Sequence, residues 1–346
     1  MKKIFESAVL GNLSVKNRLV RSATWEGIAR QDGGITEEAY KIYDELAKDG
    51  VGLVITGFTS VALHDRYFGG MMRLCDDALI PQYKKLTDII HAQGTPVITQ
   101  LALGAYYRNL NGSFMQTEPD GMSIDEIHLV REQFIDAAVR ADKAGFDGVQ
   151  LHIAHFFFFL SRFVSPAVNH REDDYGGSIA GRMRLVLEIL NGIKSAAPSL
   201  HITAKVNSSD FTYGGITEED CVEICSLLDE ACINSIEVSG NGTSVGGVRA
   251  HQNEGYFVPA AAAVADAVRC PVIAVGGFRS LDFMEEVLNK TKINFISLSR
   301  PLLREPDLPR KMMQDANYIS KCVSCNACYS SEAHKCIFSG RSENNA

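Results

Sequence analysis

Eight short runs of β-branched and other apolar residues, each followed by a longer amphipathic stretch, recur along the 346 residues of this chain. The runs occupy 19–23, 52–56, 96–101, 148–152, 202–207, 235–239, 271–275 and 295–299. Such alternation is the pattern of repeated strand–helix units and a parallel sheet. Helices are predicted over 36–49, 80–93, 123–144, 182–197, 218–231, 259–268 and 280–289, with Gly, Asn or Pro punctuating the junctions. Eight units favour a closed (β/α)8 TIM barrel over an open doubly wound sheet, which uses fewer units and prefers a Gly-rich fingerprint after its first strand. The first run leads into LVRSATWEG, which lacks one. The expected organisation is an α/β barrel over 1–320 and a cysteine-containing tail over 321–346 packed on it.

Composition narrows the function class. Hydrophobic residues at 46% and charged residues at 22% suit a soluble chain with a substantial core. A net charge of −8, with no Lys/Arg cluster, argues against nucleic acid or an anionic membrane as partner and for a small-molecule substrate. Glu6 and Asn12 interrupt the apolar N-terminal stretch that a signal peptide requires, and no run approaches about 18 apolar residues. The expected location is the cytoplasm, with reduced thiols; homo-oligomerisation stays open.

In a barrel the chemistry sits at the C-terminal ends of the strands. The fourth run ends in Gln150, Leu151 and His152, and His155 follows three residues on. Two imidazoles there are good donors to a carbonyl or nitro oxygen, which polarises an acceptor for hydride attack. The alternative for either is a buried structural histidine bonded to backbone. Segment 104–123 follows the third run and is expected to overlie the same face with Tyr106 and Tyr107.

Downstream of His152, Ala154 and His155 come Phe163, Ser165 and Pro166, then Asn169, Arg171, Asp173, Tyr175, Gly176, Gly177, Ser178 and Arg182. On these residues the chain resembles the old yellow enzyme family of NADH:flavin oxidoreductases, from about residue 4 to about residue 313. The resemblance implies FMN as cofactor, NAD(P)H as electron donor, and hydride delivery to an electron-poor acceptor such as an α,β-unsaturated carbonyl compound, the ene-reductase reaction. His152 and His155 then anchor the acceptor oxygen. Arg21, Ser22, Ala23, Thr24 and Trp25 match the family's flavin-contacting segment, with Ala23-Thr24 where Pro-Met is usual; Trp25 either walls the flavin or only packs. Gly57 and Thr59 match positions near the flavin's carbonyl edge. Gln100 matches the amide that reads the pyrimidine ring, a role suited to a group that donates and accepts at once. Lys205 stands where many relatives carry Arg and keeps a cation at the N1 side of the ring. Gly276, Gly277, Phe278, Ser299 and Arg300 fall in the loops after strands seven and eight, the usual phosphate site of barrels, and are assigned to the FMN phosphate.

Two stretches depart from the family pattern. Phe157 occupies the position of the usual proton-donating Tyr, within the run HFFFFL, and phenylalanine has no exchangeable proton. Phe157, Tyr106 and Tyr107 are assigned to the substrate pocket, and Tyr67 is a further tyrosine on the expected face. The tail reads CVSCNACYSSEAHKC, placing Cys322, Cys325, Cys328 and Cys336 in a C-x2-C-x2-C-x7-C array. A [4Fe-4S] cluster, a zinc ion and a metal-free remnant are all compatible with it. Larger relatives that reduce dienoyl thioesters or dehydrogenate amines carry a similar array. The alternative readings are therefore a dienoyl-thioester reductase or dehydrogenase/demethylase with a cluster and an external electron carrier, and a non-enzymatic flavin electron-transfer subunit.

Overall fold

Each apolar run forms a strand, because residues that branch at Cβ pack well on a pleated surface covered on both faces. The computed structural model describes residues 1–63, 65, 68–104, 106–108, 114–116, 118–242 and 244–339. The strands are β1 (Leu19–Arg21), β2 (Leu53–Ser60), β3 (Val97–Ala102), β4 (Gly148–Ile153), β5 (His201–Asn207), β6 (Ser235–Ser239), β7 (Val272–Val275) and β8 (Phe295–Leu298). Each pairs in parallel with the next, and Leu298 of β8 lies against Arg21 of β1, so the sheet closes into a barrel. The predicted boundaries hold to within a residue or two except in β2, which continues to Ser60 past a register shift between Ile55 and Phe58.

Around the barrel run α1 (Glu37–Lys48), α2 (Ile80–His91), α3 (Ile124–Lys143), α4 (Ile179–Ala196), α5 (Glu218–Glu230), α6 (Val258–Ala267), α7 (Leu281–Lys290) and α8 (Leu308–Gln314). Their starts are written in the sequence. Thr36 caps α1, and Ser123 with Glu126 and Thr217 with Asp220 form reciprocal capping boxes on α3 and α5.

The lower barrel is filled by Val20, Leu53, Ile55, Ile98, Ile273 and Phe295. A short N-terminal hairpin, Ala8–Leu10 with Leu13–Val15, adds Leu10 and Val15 to that cluster and plugs the bottom. Sequence periodicity does not reveal the hairpin, since three-residue strands are too short to show one. With apolar side chains below, buried polar residues collect at the C-terminal ends of the strands. Among the described residues, no helix is long and apolar enough to cross a membrane.

The tail lies against the loops that follow β6, β7 and β8. Arg279 donates from Nε to the Cys322 carbonyl at 2.7 Å and also bonds Ser324 Oγ, while Ser280 bridges to Ile319. Asn326 Nδ2 donates to the Ser244 carbonyl at 2.6 Å, and its Oδ1 accepts from Arg300.

Candidate active site

A cavity of about 630 Å³ opens at the C-terminal ends of the strands. Pockets that hold cofactors and drug-sized ligands run roughly 300–1,000 Å³. Of the residues nominated by the sequence, Ser22, Ala23, Thr24, Trp25, Gln100, His152, His155, Phe157, Lys205, Gly276, Gly277, Phe278, Ser299 and Arg300 line this one cavity.

Gly57 and Thr59 do not. The register shift in β2 turns Gly57 toward Glu26, where an added Cβ would come within 2.5 Å of the carboxylate. Thr59 is fully buried, with its hydroxyl 2.9 Å from Thr99 Oγ1. Phe58, between them, reaches the cavity wall instead. Arg21 is likewise turned away from the cavity; its guanidinium is buried and bonds the Ser22 carbonyl, Thr24 Oγ1 and Glu26. Tyr106 and Tyr107 lie on the backbone of a hairpin, Tyr106–Arg108 with Phe114–Gln116, but their side chains and all of Tyr67 lie outside the described residues.

His152 and His155 face each other edge to face, with ring centroids 5.0 Å apart. His155 sits in the left-handed region at φ 64°, an uncommon conformation for a side-chain-bearing residue. Its backbone N–H donates to Asn207 Oδ1 at 3.0 Å, and its ring Nε2 stands 3.5 Å from Ser239 Oγ. Burial, with His155 and Lys205 adding to it, holds the His152 ring well below the usual imidazole range. Burial and then Lys205 push His155 down to about 3. Both rings are therefore neutral at physiological pH, each with one N–H to donate. His152 Nδ1 is buried without a partner among the described residues, and so is Trp25 Nε1.

The four consecutive phenylalanines split by position. Phe159 is in the core against Phe163, whereas Phe158 packs on His152 at 4.2 Å and on Phe58 at 5.0 Å between centroids. Phe157 is 55% exposed at the rim. Trp25 stacks on Phe58 at 6.2 Å and 13°, so it is a cavity wall as well as a packing residue. The result is an aromatic flank of Trp25, Phe58, Phe68 and Phe158 facing a polar floor.

At the opposite side, Gly276 and Gly277 have φ of 125° and 81°, conformations that favour glycine. A Cβ on Gly277 would come within 2.7 Å of the Tyr256 ring. Tyr256, which the sequence did not nominate, therefore packs directly on the proposed phosphate loop. Arg300 donates to the Val245 carbonyl at 3.0 Å and to Tyr256 Oη at 3.4 Å. Other residues missed by sequence reasoning are Ser239 and Asn241 at the end of β6, and Tyr329 and His334 from the tail, all of which line the cavity. Position at a strand end was a usable signal for the first two; Tyr329 and His334 stand between cysteines without any periodic pattern.

The four tail cysteines are free and line a separate small cavity of about 20 Å³, which Arg300 also borders. Among the described residues, however, no three His, Cys, Asp or Glu side chains stand together as a ligand set for a metal ion.

Residues 3–318 match the NADH:flavin oxidoreductase / NADH oxidase family. The chain is 32% identical over 345 residues to the NADH oxidase of Thermoanaerobacter brockii, covering 93% of this chain and 52% of that protein. It is 30% identical to the NADPH dehydrogenase of Bacillus pumilus, covering 90% and 95% of the two chains. The structure of the old yellow enzyme homologue from Zymomonas mobilis superposes with a TM-score of 0.76 at 19% identity, covering 96% of each chain. The chain spans about half the length of several of the curated relatives it matches.

Proposed function

The chain belongs to the NADH:flavin oxidoreductase / NADH oxidase family, and from that premise we propose that its barrel mouth holds FMN and passes hydride from NAD(P)H to an electron-poor acceptor such as an α,β-unsaturated carbonyl compound. The observation that carries this reading is the convergence, in one cavity, of the neutral His152–His155 pair, the Gln100 amide and the Lys205 cation. These residues fit the cofactor. Gln100 offers a donor and an acceptor to a pyrimidine edge, Lys205 a cation beside it, Trp25 and Phe58 flat walls, and Gly276 and Gly277 a backbone free of Cβ atoms.

Bound FMN supplies a ring nitrogen that takes up and gives back a hydride. The chain's own work is to orient and polarise. His152 and His155, as neutral N–H donors, hold the acceptor oxygen and bear the negative charge that develops on it. Phe58, Phe68, Phe158 and Trp25 keep water from that charge, which strengthens each hydrogen bond. Phe157 supplies no proton, so in this reading the carbon opposite the hydride is protonated by another group or by solvent. Steady-state NAD(P)H oxidation with 2-cyclohexenone, compared with a quinone, tests the assignment. Acceleration by the enone is expected; no acceleration by any enone removes the ene-reductase reading.

A second reading rests on the cysteine-lined cavity beside Arg300. We infer from the C-x2-C-x2-C-x7-C spacing, and from the lining of one small cavity by Cys322, Cys325, Cys328 and Cys336, that these thiols would be the ligands of a [4Fe-4S] cluster. Such a group supplies one-electron transfer and favours a thioester-reductase or dehydrogenase activity with an external carrier. About four irons per chain in anaerobically purified protein, lost in Cys325→Ser, is the expected result; iron-free protein that carries flavin rejects this reading.

A further inference from the structure

Glu237 lies in the middle of β6, the barrel strand on which the sequence nominated no site residue, and its side chain is fully buried. Side chains from other strands converge on it. Its Oε1 accepts from Ser22 Oγ at 2.7 Å and stands 3.2 Å from Lys205 Nζ. Its Oε2 accepts from Gln150 Nε2 at 3.0 Å. The Gln150 Oε1 in turn accepts from Gln100 Nε2 at 2.7 Å, and Lys205 Nζ also donates to Ser22 Oγ at 2.8 Å. Ser22, Gln100 and Lys205 line the cavity, whereas Glu237 and Gln150 lie behind them.

A carboxylate accepts and never donates, and that property fixes the polarity of the whole chain. Gln150 must turn its NH2 toward Glu237 and its carbonyl toward Gln100. Gln100 must then turn its NH2 toward Gln150, which leaves its carbonyl oxygen and its second N–H for the cavity. Without an obligate acceptor at the far end, either amide is free to flip. The same carboxylate pairs with Lys205, so the cavity floor carries an ion pair where the lysine alone would be a bare cation. Burial pushes the Glu237 carboxyl up, but Lys205 and the bonds donated by Ser22 and Gln150 outweigh it and keep the group ionised.

We propose that Glu237 is the positioning residue of the flavin site, orienting the Gln100 amide through Gln150 and setting the field that Lys205 exerts on the ring. The inference rests on the FMN reading of this cavity. Its physical content is that charge in a dry barrel is weakly screened. A lone lysine beside the ring favours the reduced, more negative flavin; a carboxylate 3.2 Å from that lysine offsets most of the preference.

The test is the midpoint potential and the FMN affinity of the full chain and three variants. Glu237→Gln removes the charge at constant shape, and it should raise the affinity for reduced over oxidised FMN at least tenfold, about 30 mV for a two-electron couple. Glu237→Asp retains the charge and should keep the wild-type potential. Gln150→Met leaves the ion pair and cuts the amide chain, so it should keep the potential and weaken FMN binding at least tenfold. An E237Q protein that binds FMN at the wild-type potential overturns the electrostatic role. Unchanged FMN affinity in Q150M overturns the orienting role, whether or not E237Q folds. A wild type that takes up no FMN overturns the underlying reading itself; FMN-loaded variants indistinguishable from an FMN-loaded wild type overturn this inference alone.

Discussion

Replacing His152 and His155 together by alanine is expected to lower enone turnover by at least ~10³-fold while FMN stays bound, because removing one preorganised donor from a dry oxyanion site typically costs ~10²–10³ in rate. The two rings face one another at 5.0 Å, and each is kept neutral by burial. A neutral ring offers one N–H, so the pair provides two donors only if each orients its own. His155 is the better held, through Asn207 and its strained backbone. His152 Nδ1 has no partner among the described residues and is the group that a bound oxygen would satisfy. The double variant should also lose binding of phenols to the oxidised flavin, read as the absence of any absorbance change on titration. Unaltered phenol titrations would remove the assigned role.

The second large effect concerns stability. Arg21→Met is expected to destabilise the fold by ~3–5 kcal/mol at pH 8.5, the usual cost of stripping one partner from a buried ion pair. Arg21, the last residue of β1, is buried and stands 3.3 Å from Glu26. Burial pushes the Glu26 carboxyl up to about 7 against the pull of Arg21 and a hydrogen bond from Tyr43. The sign follows from proton binding. A carboxyl whose folded pKa lies above its unfolded value binds more protons in the native state, so its contribution falls as pH rises from the unfolded value through the folded one. In the wild type that loss is complete somewhat above pH 7. Without Arg21 the folded value moves higher still, and the loss continues. The penalty of Arg21→Met, measured by urea unfolding, should therefore be clearly smaller at pH 6 than at pH 8.5; an equal penalty at both would mean that Glu26 is not the group left unpaired. Because Arg21 also bonds the Ser22 carbonyl and Thr24 Oγ1, the variant should release FMN more readily as well.

The barrel was legible because its strands are runs such as HITAKVN and SIEVS bounded by helix caps, and both signals are local. Residues at strand ends were legible for a geometric reason: once a run is a barrel strand, its C-terminal end must face the mouth. Gly57 and Thr59 escaped that rule because the register shift between Ile55 and Phe58 reverses which residues look inward, and nothing in the spacing announces it. Glu237 was invisible for the opposite reason. An acidic residue in a strand reads as outward-facing, and only the partners supplied by three other strands make it an interior one.

The signature that carried the family resemblance turns out to be mostly scaffold. Ser165 donates to Asp210 at 2.7 Å, Asn169 Nδ2 to the carbonyls of Phe163 and Tyr175, and Arg182 Nε to the Val164 carbonyl at 2.8 Å. These bonds fix the segment that follows His155, and so fix the imidazoles without touching the cavity. The tail illustrates the limit of pattern reading. Its cysteines were conspicuous, but the groups it sends into the cavity are Tyr329 and His334, and His334 packs on Trp25 at 5.7 Å.

The central claim is that this barrel mouth is a flavin site reduced by a nicotinamide. The visible spectrum of the protein, purified without oxygen and recorded before and after one equivalent of NADH or NADPH, tests it most directly. The account predicts the paired bands of oxidised flavin and their bleaching by at least one of the two donors. A colourless protein that takes up no FMN on titration would contradict it.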